Sequence, residues 1–402
     1  MYLARKNISI ENILFFFTFL LVIVFPNTFR DIKLWLILFL ILISFKSIKR
    51  FNRTIIIYYL LGLIVTTTYL IIGSLKSTAP IEAANQVVII YMLTPLMWMV
   101  ISTYIVNQFN LLNLWKLSII YTIGGCFLVF LAIWLFDNGF IYLLEFIIDT
   151  PNKILTTDGI IAVKLHVYGS LIFLFPAILQ TFKIFKNRFF FYTLILLFLI
   201  TAFVSGRDGL MLSLFIGVLL FFIFNKRKNF LIQILLIISA LYLSNIILGS
   251  FDINIFKIFE GFIKKINSGG ESARTEQFKA LVEGINQNIF GAGHGVGVSY
   301  IRNYNYPWRY EILPLALIYR VSLFGFIIYA LPFLYSIKQF MKLHINSQDD
   351  LIDRFMVSGL ISIVVASFTN PYLESFEFQF FYVFPFIYFI TRKQKLRLFR
   401  NS

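Results

Sequence analysis

Gly269-Gly270-Glu271-Ser272-Ala273-Arg274-Thr275-Glu276 and, after an amphipathic run, Phe290-Gly291-Ala292-Gly293-His294-Gly295-Val296-Gly297 lie at the heart of residues 251–311, the only long polar interruption in an otherwise apolar chain. A third patch, Tyr304-Asn305-Tyr306-Pro307-Trp308-Arg309-Tyr310-Glu311, closes that segment. These sixty-odd positions hold almost every side chain with chemistry to offer. What flanks them decides the fold.

Working outward, the 402 residues are 59% hydrophobic and 13% charged, whereas soluble domains carry roughly a quarter charged residues. A polytopic membrane protein is the expectation. Apolar stretches of a length able to cross about 30 Å of hydrocarbon fall at 8–25, 32–45, 54–72, 87–106, 117–136, 167–182, 189–204, 210–224, 230–248, 312–337, 355–368 and 376–390. Lipid admits only helices or closed barrels, and the alternation of a barrel strand is missing. The chain therefore reads as an all-α polytopic membrane protein of about twelve transmembrane helices, with a large outer helical loop between the ninth and tenth. We take 1–402 as a single integral membrane domain, with 249–311 an extracytoplasmic loop subdomain inside it; no internal repeat divides it.

The net charge of +16 is a topology signal. Arg5, Lys6, Lys46, Lys49, Arg50, Arg53, Lys116, Lys183, Lys186, Arg188, Lys226, Arg227, Lys228, Lys338, Lys342, Arg354 and the basic C-terminal tail fall in one set of connectors. The alternate short connectors hold far fewer: Arg30, Lys33, Lys76, Lys153, Lys164 and Arg207. This bias places both termini in the cytoplasm and the long loop outside. It also accounts for the basic residues without nucleic acid as a partner. No small-x-small cleavage site follows the first apolar run, so the first span is read as retained.

One cysteine, Cys126, sits in an apolar run, and His166, His294 and His344 are far apart. Disulfides and Cys- or His-ligated metals are thus not expected. Among the outer connectors, 137–166 holds Asp137, Glu145, Asp149, Pro151 and Asp158 around an apolar 140–148 core, the pattern of a re-entrant or surface-lying helix. Residues 369–375, with Asn370, Pro371 and Glu374, read as a tight turn.

Within the long loop, Ile255, Phe256, Phe259, Phe262, Ile263 and Ile266 recur at helical spacing opposite Lys257, Glu260, Lys264 and Lys265, as in a helix lying on the membrane surface. A second helix begins near Ser268 or Ser272, with Ser268-x-x-Glu271 as a capping box, and Phe278, Leu281, Val282 and Ile285 as its apolar stripe. Arg274, four residues before Phe278 and seven before Leu281, projects from the packing face in the first turn, which is a place for phosphate or for an ion pair. Arg207, in Ser205-Gly206-Arg207-Asp208-Gly209 at the outer boundary, needs water, an anion or Asp208. Arg320 lies inside the tenth span and reads as either a ligand contact or half of a structural ion pair. Glycines at alternating positions surround His294 and offer backbone N–H groups or tight turns. Glu311, where the chain re-enters the membrane, suits a base that takes a hydroxyl proton, or a helix N-terminal acid. Tyr304, Tyr306, Trp308 and Tyr310 offer flat faces to sugar rings or form an interfacial belt.

At these positions the chain resembles the O-antigen ligase and O-antigen polymerase superfamily. The likeness rests on the span count, the large loop after the ninth span, the Ser-Arg-Gly-like element at Ser205-Gly206-Arg207-Asp208-Gly209, Arg274 ahead of Phe278, the Phe-Gly-x-Gly element at Phe290 to Gly293, and a tenth span leading to Gly325. Ligases of this family place a His-Asn pair where this chain has Tyr310-Glu311-Ile312, so the polymerase branch is favoured. The resemblance implies metal-independent, cofactor-free, inverting glycosyl transfer from undecaprenyl pyrophosphate to an acceptor sugar hydroxyl, at the outer face of a bacterial inner membrane. Its partners would be a lipid-linked oligosaccharide, membrane lipid and a chain-length regulator protein. Arg207, Arg274 and Arg320 would hold the pyrophosphate, and the base stays open between Glu311 and His294. Ligation to another acceptor, a polysaccharide flippase and a cell-wall glycan polymerase of the shape/division family are the alternatives.

Overall fold

The computed structural model describes residues 10–26, 28–76, 80–148, 154–157, 160–163, 168–205, 208–225, 273–302 and 306–401. The expected surface helix at 255–266, the Ser268 capping box, the ninth span and Arg207 lie outside the described residues.

The helices are α1 (Ile10–Val24), α2 (Arg30–Ser44), α3 (Arg53–Leu75), α4 (Ile81–Gln108), α5 (Leu111–Asp137), α6 (Ile141–Ile148), α7 (Tyr168–Leu179), α8 (Arg188–Val204), α9 (Asp208–Asn225), α10 (Ala273–Gln287), α11 (Leu313–Ile345), α12 (Leu351–Ala366) and α13 (Phe380–Asn401). Every apolar stretch read from the sequence, the ninth apart, falls on one of them. Helices α3, α4, most of α5, and α11 are long and apolar enough to cross a membrane. α6 covers the apolar core of the 137–166 connector, and residues 372–374 form a single 3-10 turn within the expected tight turn.

The all-α expectation needs one amendment. Ile154–Thr157 pairs antiparallel with Ile160–Val163, Leu155 opposite Ala162. Both runs are rich in β-branched residues, and the sequence between them is Asp158-Gly159, a strong hairpin signal.

Helix starts follow local chemistry. The Asn52 carboxamide oxygen accepts from the Thr54 N–H at 2.8 Å, and Asp350 with Asp353 forms a reciprocal capping box on α12. α4 slips into a π turn at Val88–Leu93, just before Thr94-Pro95. Proline has no N–H to return to the carbonyl four residues back, so the hydrogen-bond ladder shifts by one residue there. The slip frees carbonyls for other partners: Ile90 accepts from Gln379 at 2.7 Å and Met92 from Tyr59 at 3.2 Å.

One continuous core joins α1, α2, α4, α5, α7, α8, α9 and α11 through α13, with Trp98, Phe175, Phe198, Phe386 and Phe389 fully enclosed. The outside is apolar too. Ile56, Ile57, Leu60, Ile64 and Ile71 on α3, with Leu34, Trp35, Phe39 and Leu42 on α2, are exposed. Apolar surface on that scale is a cost in water and none in lipid.

Side-chain bridges separate the two ends of the bundle. At one end Lys33 meets Glu377 at 3.0 Å, Lys76 meets Asn288 at 3.0 Å, and the Leu313 N–H donates to Ser367. At the other, Lys46 and Tyr104 hold Glu11, Arg354 holds Asp349 and Asn225, and Arg392 reaches Asp350. Among the described residues, the basic connectors around Lys46, Lys183 and Arg354 and the start of the C-terminal tail gather at this second end, apart from the loop carrying His294.

Candidate functional site

The glycine-rich segment does not sit on the surface as a loop. It enters the bundle between α3 and α11. α11 breaks at Val321 (φ −119, ψ 15) and Ser322 (φ 60, ψ 172), which leaves the carbonyls of Tyr319 and Arg320 without helical partners. The N–H groups of Ala292 and Gly293 take them at 2.7 and 2.9 Å, and the His294 N–H donates to the Tyr69 carbonyl of α3 at 2.9 Å. Ser322 is further held by a 2.9 Å hydrogen bond to the Tyr69 hydroxyl. The glycines make this approach possible. Gly291 and Gly293 have φ of 89° and 98°, and a Cβ on Gly293 would run into the Gly73 backbone, as one on Gly73 would into His294.

The inserted segment delivers His294 to a buried polar cluster. Its Nε2 lies 3.2 Å from the Tyr329 hydroxyl, which lies 2.8 Å from Thr66 Oγ1. Tyr91, on the π turn, places its ring 5.0 Å from His294 and donates its hydroxyl proton to Glu374 at 2.6 Å. Glu374 also pairs with Arg320, whose second nitrogen donates to the Trp308 carbonyl. Of the two readings of Arg320, ligand contact or structural ion pair, the structure displays the ion pair. Within this cluster, His294 Nδ1 and Arg320 Nε are buried and have no hydrogen-bond partner among the described residues. Burial first, and then the Arg320 charge, lowers the His294 pKa to about 3, so its ring is neutral at ordinary pH.

Below this cluster opens a cavity of about 540 Å³, walled by α3, α4, α11, α12 and α13. Its lining is almost wholly apolar (Met99, Leu317, Ile327, Phe333, Phe368 and Phe386 among others), while Tyr91 and Tyr329 reach it from the polar side.

A second charged group sits closer to the surface. Glu311 is gripped by two guanidinium groups: Arg274 Nε at 2.8 Å from one carboxylate oxygen and Arg302 Nη2 at 2.9 Å from the other. Gln277 fixes the backbone there, its side-chain oxygen accepting from the Glu311 and Ile312 N–H groups at 2.8 and 3.0 Å. Helix α10 therefore packs through Gln277, Ala280, Leu281 and Gly284. The expected stripe is rotated: Phe278 is half exposed, although Arg274 and Leu281 do share the packing side. The aromatic run is corrected as well. Trp308 is buried, and Tyr310 is buried in a small core with Leu281, Ala292, Ala316 and Tyr319, its hydroxyl accepting from Val298 N–H at 2.6 Å, so neither presents a face to a sugar nor sits in an interfacial belt. Tyr306 remains partly exposed beneath Arg309; Tyr304 lies outside the described residues.

Arg274, Arg302, Glu311, His294 and Arg320 thus all lie at one end of the bundle. Gly209, at the start of α9, packs against Thr369 and Tyr372, next to Glu374; Arg207 itself lies outside the described residues. Glu374 and Arg302 were not singled out from sequence. An arginine inside an apolar span demands a carboxylate, and few are available in this chain, so Glu374 was within reach of that argument; Arg302 carried no such mark. Among the described residues no group of His, Cys, Asp or Glu is arranged to hold a metal ion.

What the fold and site define is a helical protein with membrane-length apolar helices, an inserted glycine-rich loop and an apolar cavity headed by buried polar groups. No family model matches the chain, and no curated protein or solved structure matches it either.

Proposed function

We propose that this protein is a glycosyltransferase of a bacterial cytoplasmic membrane, with both termini inside, that joins oligosaccharide repeat units carried on a polyprenyl diphosphate. One observation carries the reading: the cavity of about 540 Å³ is lined by apolar side chains and by Tyr91 and Tyr329, whose hydroxyls lead on to Glu374 and His294 behind them. Such a space suits a lipid tail whose polar head must stay at the bundle end where Arg274, Arg302 and Glu311 gather.

In the reaction an acceptor sugar hydroxyl attacks the anomeric carbon of the donor. The new C–O bond forms as the bond to the diphosphate breaks, and the polyprenyl diphosphate leaves with both electrons. Arg274, Arg302 and Arg207 stabilise the leaving charge. Arg320, already paired with Glu374, positions the inserted loop instead. Glu311 takes the hydroxyl proton. His294 is the weaker candidate, because protonation would put a second cation beside Arg320 in a buried site. Glu311 starts out neutralising Arg274 and Arg302, so a diphosphate that claims the arginines also releases the carboxylate to act.

The test is the glycan profile of cells in which the chromosomal copy carries Arg274→Ala, with membrane accumulation of the protein checked in parallel. Single repeat units on the carrier or anchor, with long chains lost, is the expected result. Normal chain length overturns it; long chains retained on the carrier point to a ligase, and failure of lipid-linked units to reach the outer face points to a flippase.

A further inference from the structure

The stretch from Asn288 to Ile301 carries no Asp, Glu, Lys or Arg, and its first turn exposes two large apolar side chains: Ile289 is 70% and Phe290 88% exposed. Neighbouring contacts fix the height of that turn in the bundle. α3 and α11 run antiparallel, with the ring of Tyr58 beside that of Tyr335, Thr66 bonded to Tyr329 and Tyr69 to Ser322. At 1.5 Å per residue α3 is about 34 Å long, just enough to cross about 30 Å of hydrocarbon, so its two ends mark the membrane boundaries. Tyr69 lies about 9 Å inside the Leu75 end. The chain descends from Asn288, whose side chain accepts from Lys76 just beyond that end at 3.0 Å, to Gly291, packed on Tyr69 and the Ser322 backbone. Ile289 and Phe290 are thus level with the last two turns of α3, where Ile71 and Leu75 are still exposed. Directly after Ser322, Leu323 and Phe324 are exposed as well, at the head of an exposed stripe of α11 that continues through Ile327, Leu334 and Met341.

We infer that Ile289 and Phe290 form a membrane anchor, inserted among the lipids of the leaflet at this end of the bundle. Bilayer lipid is the occupant on three counts. The pair adjoins the exposed apolar stripe of α11 and shares its level with exposed residues of α3, both surfaces that lipid already covers. The absence of charge between residues 288 and 301 leaves no ion to strip of water as the turn enters. An aromatic side chain next to an aliphatic one partitions well into the boundary between headgroups and acyl chains. The anchor has a consequence for the neighbouring site. Ala292, Gly293 and His294 are bonded to α11 and α3 from within, and the bilayer would hold the same segment from without, fixing the height of His294 relative to the lipid surface. Such an anchor requires the membrane and not the transferase chemistry.

The test is nitroxide labelling of the full chain in phosphatidylcholine vesicles. The single cysteine, Cys126, is fully buried, so wild type should take up no label, and Phe290→Cys or Ile289→Cys should take up one. Collisions of the label with oxygen, which concentrates in lipid, and with a water-soluble nickel chelate are then read by electron paramagnetic resonance. Oxygen should dominate at both turn positions, as it should at Ile64→Cys on the exposed face of α3. The nickel chelate should dominate at Glu283→Cys, exposed on α10. Two reporters in one turn keep the measurement available where one variant fails to accumulate, and wild-type thermal unfolding of the variants separates a moved turn from a lost fold. Dominance of the nickel chelate at the turn positions would place them in water and overturns the proposal. Few collisions with either reagent, with a slowed label, would mean that protein covers the turn, from this chain or from a second copy, and overturns it too.

Discussion

Glu311 is a carboxylate with each oxygen claimed by a different arginine, Arg274 at 2.8 Å and Arg302 at 2.9 Å. If that arrangement is exchanged for a diphosphate during turnover, Glu311→Gln should bind inorganic pyrophosphate at least as tightly as wild type, because a competing anion is gone. Chain elongation should at the same time fall by about 10²–10⁴, the usual worth of a positioned base; weaker pyrophosphate binding together with unchanged elongation would remove Glu311 from both roles. His294 makes a different prediction. Its pKa in the fold, about 3, lies below the ordinary 6.5, so the unfolded chain takes up a proton first as pH falls. The stability contributed by the neutral ring is therefore whole above pH ~6.5 and is lost progressively between there and pH ~3, with a slope of up to about 1.4 kcal/mol per pH unit. Thermal unfolding at pH 7.5 and 5.0 checks this: the drop on acidification should be smaller in His294→Gln than in wild type, and an equal drop would mean that the ring is already solvated. Of these residues the sequence marked Arg274, His294, Arg320 and Glu311, but not their partners. Glu374 meets Arg320 across 54 residues, and Arg302 reaches Glu311 within one irregular loop that has no helical or strand period, so no local pattern records either pairing.

At the scale of elements, the inserted glycine segment and the broken α11 are one device. The break at Val321–Ser322 costs about 1–3 kcal/mol for a non-glycine residue at φ 60°, and the Ala292 and Gly293 N–H groups offset it by satisfying the freed carbonyls. Gly73→Ala and Gly293→Ala should each expel the segment, since the added methyl meets backbone on the other side. Limited proteolysis within residues 288–312 of the purified protein should then become faster, while Gly62→Ala on the same α3, where a Cβ meets nothing, should leave it unchanged. The buried Arg320–Glu374 pair behaves as a joint between elements. Removing Arg320 alone strands a buried carboxylate, at a cost of about 3–5 kcal/mol, and replacing both residues by apolar ones of similar size should recover most of the loss. Glycines at 291, 293, 295 and 297 announced an unusual backbone in the sequence, yet not its use. The partner, Gly73, lies more than two hundred residues away, and a serine at a positive φ leaves no local trace. The Pro95 slip in α4 was open to local reasoning, because a proline inside an apolar helical run must disturb the ladder.

For the whole molecule, helix placement was the most legible property, because apolar runs of membrane length leave little choice of structure. The hairpin at 154–163 is only four residues long on each side, too short for its β-branched runs to stand out among the acidic residues of the connector, although Asp158-Gly159 between them carries its own turn meaning. Direction across the membrane follows from charge, and the bundle has two chemically distinct ends on which to test it. The single cysteine, Cys126, is fully buried, so the wild-type chain is a silent background for thiol labelling. Asn286 on α10 is exposed at the end that carries Glu311, and Gln348, between α11 and α12, is exposed at the end that carries Lys342 and Arg354. In cells whose cytoplasmic membrane is intact, a membrane-impermeant maleimide should modify Asn286→Cys and spare Gln348→Cys, and both should react once that membrane is opened. The reverse pattern would invert the orientation drawn from lysine and arginine and move the His294 site to the cytoplasmic side, where a nucleotide-activated sugar would replace the lipid-linked donor as the substrate to test. Labelling of both in intact cells would mean that the two ends share one compartment, and the exposed faces of α2 and α3 would then need a protein partner in place of lipid.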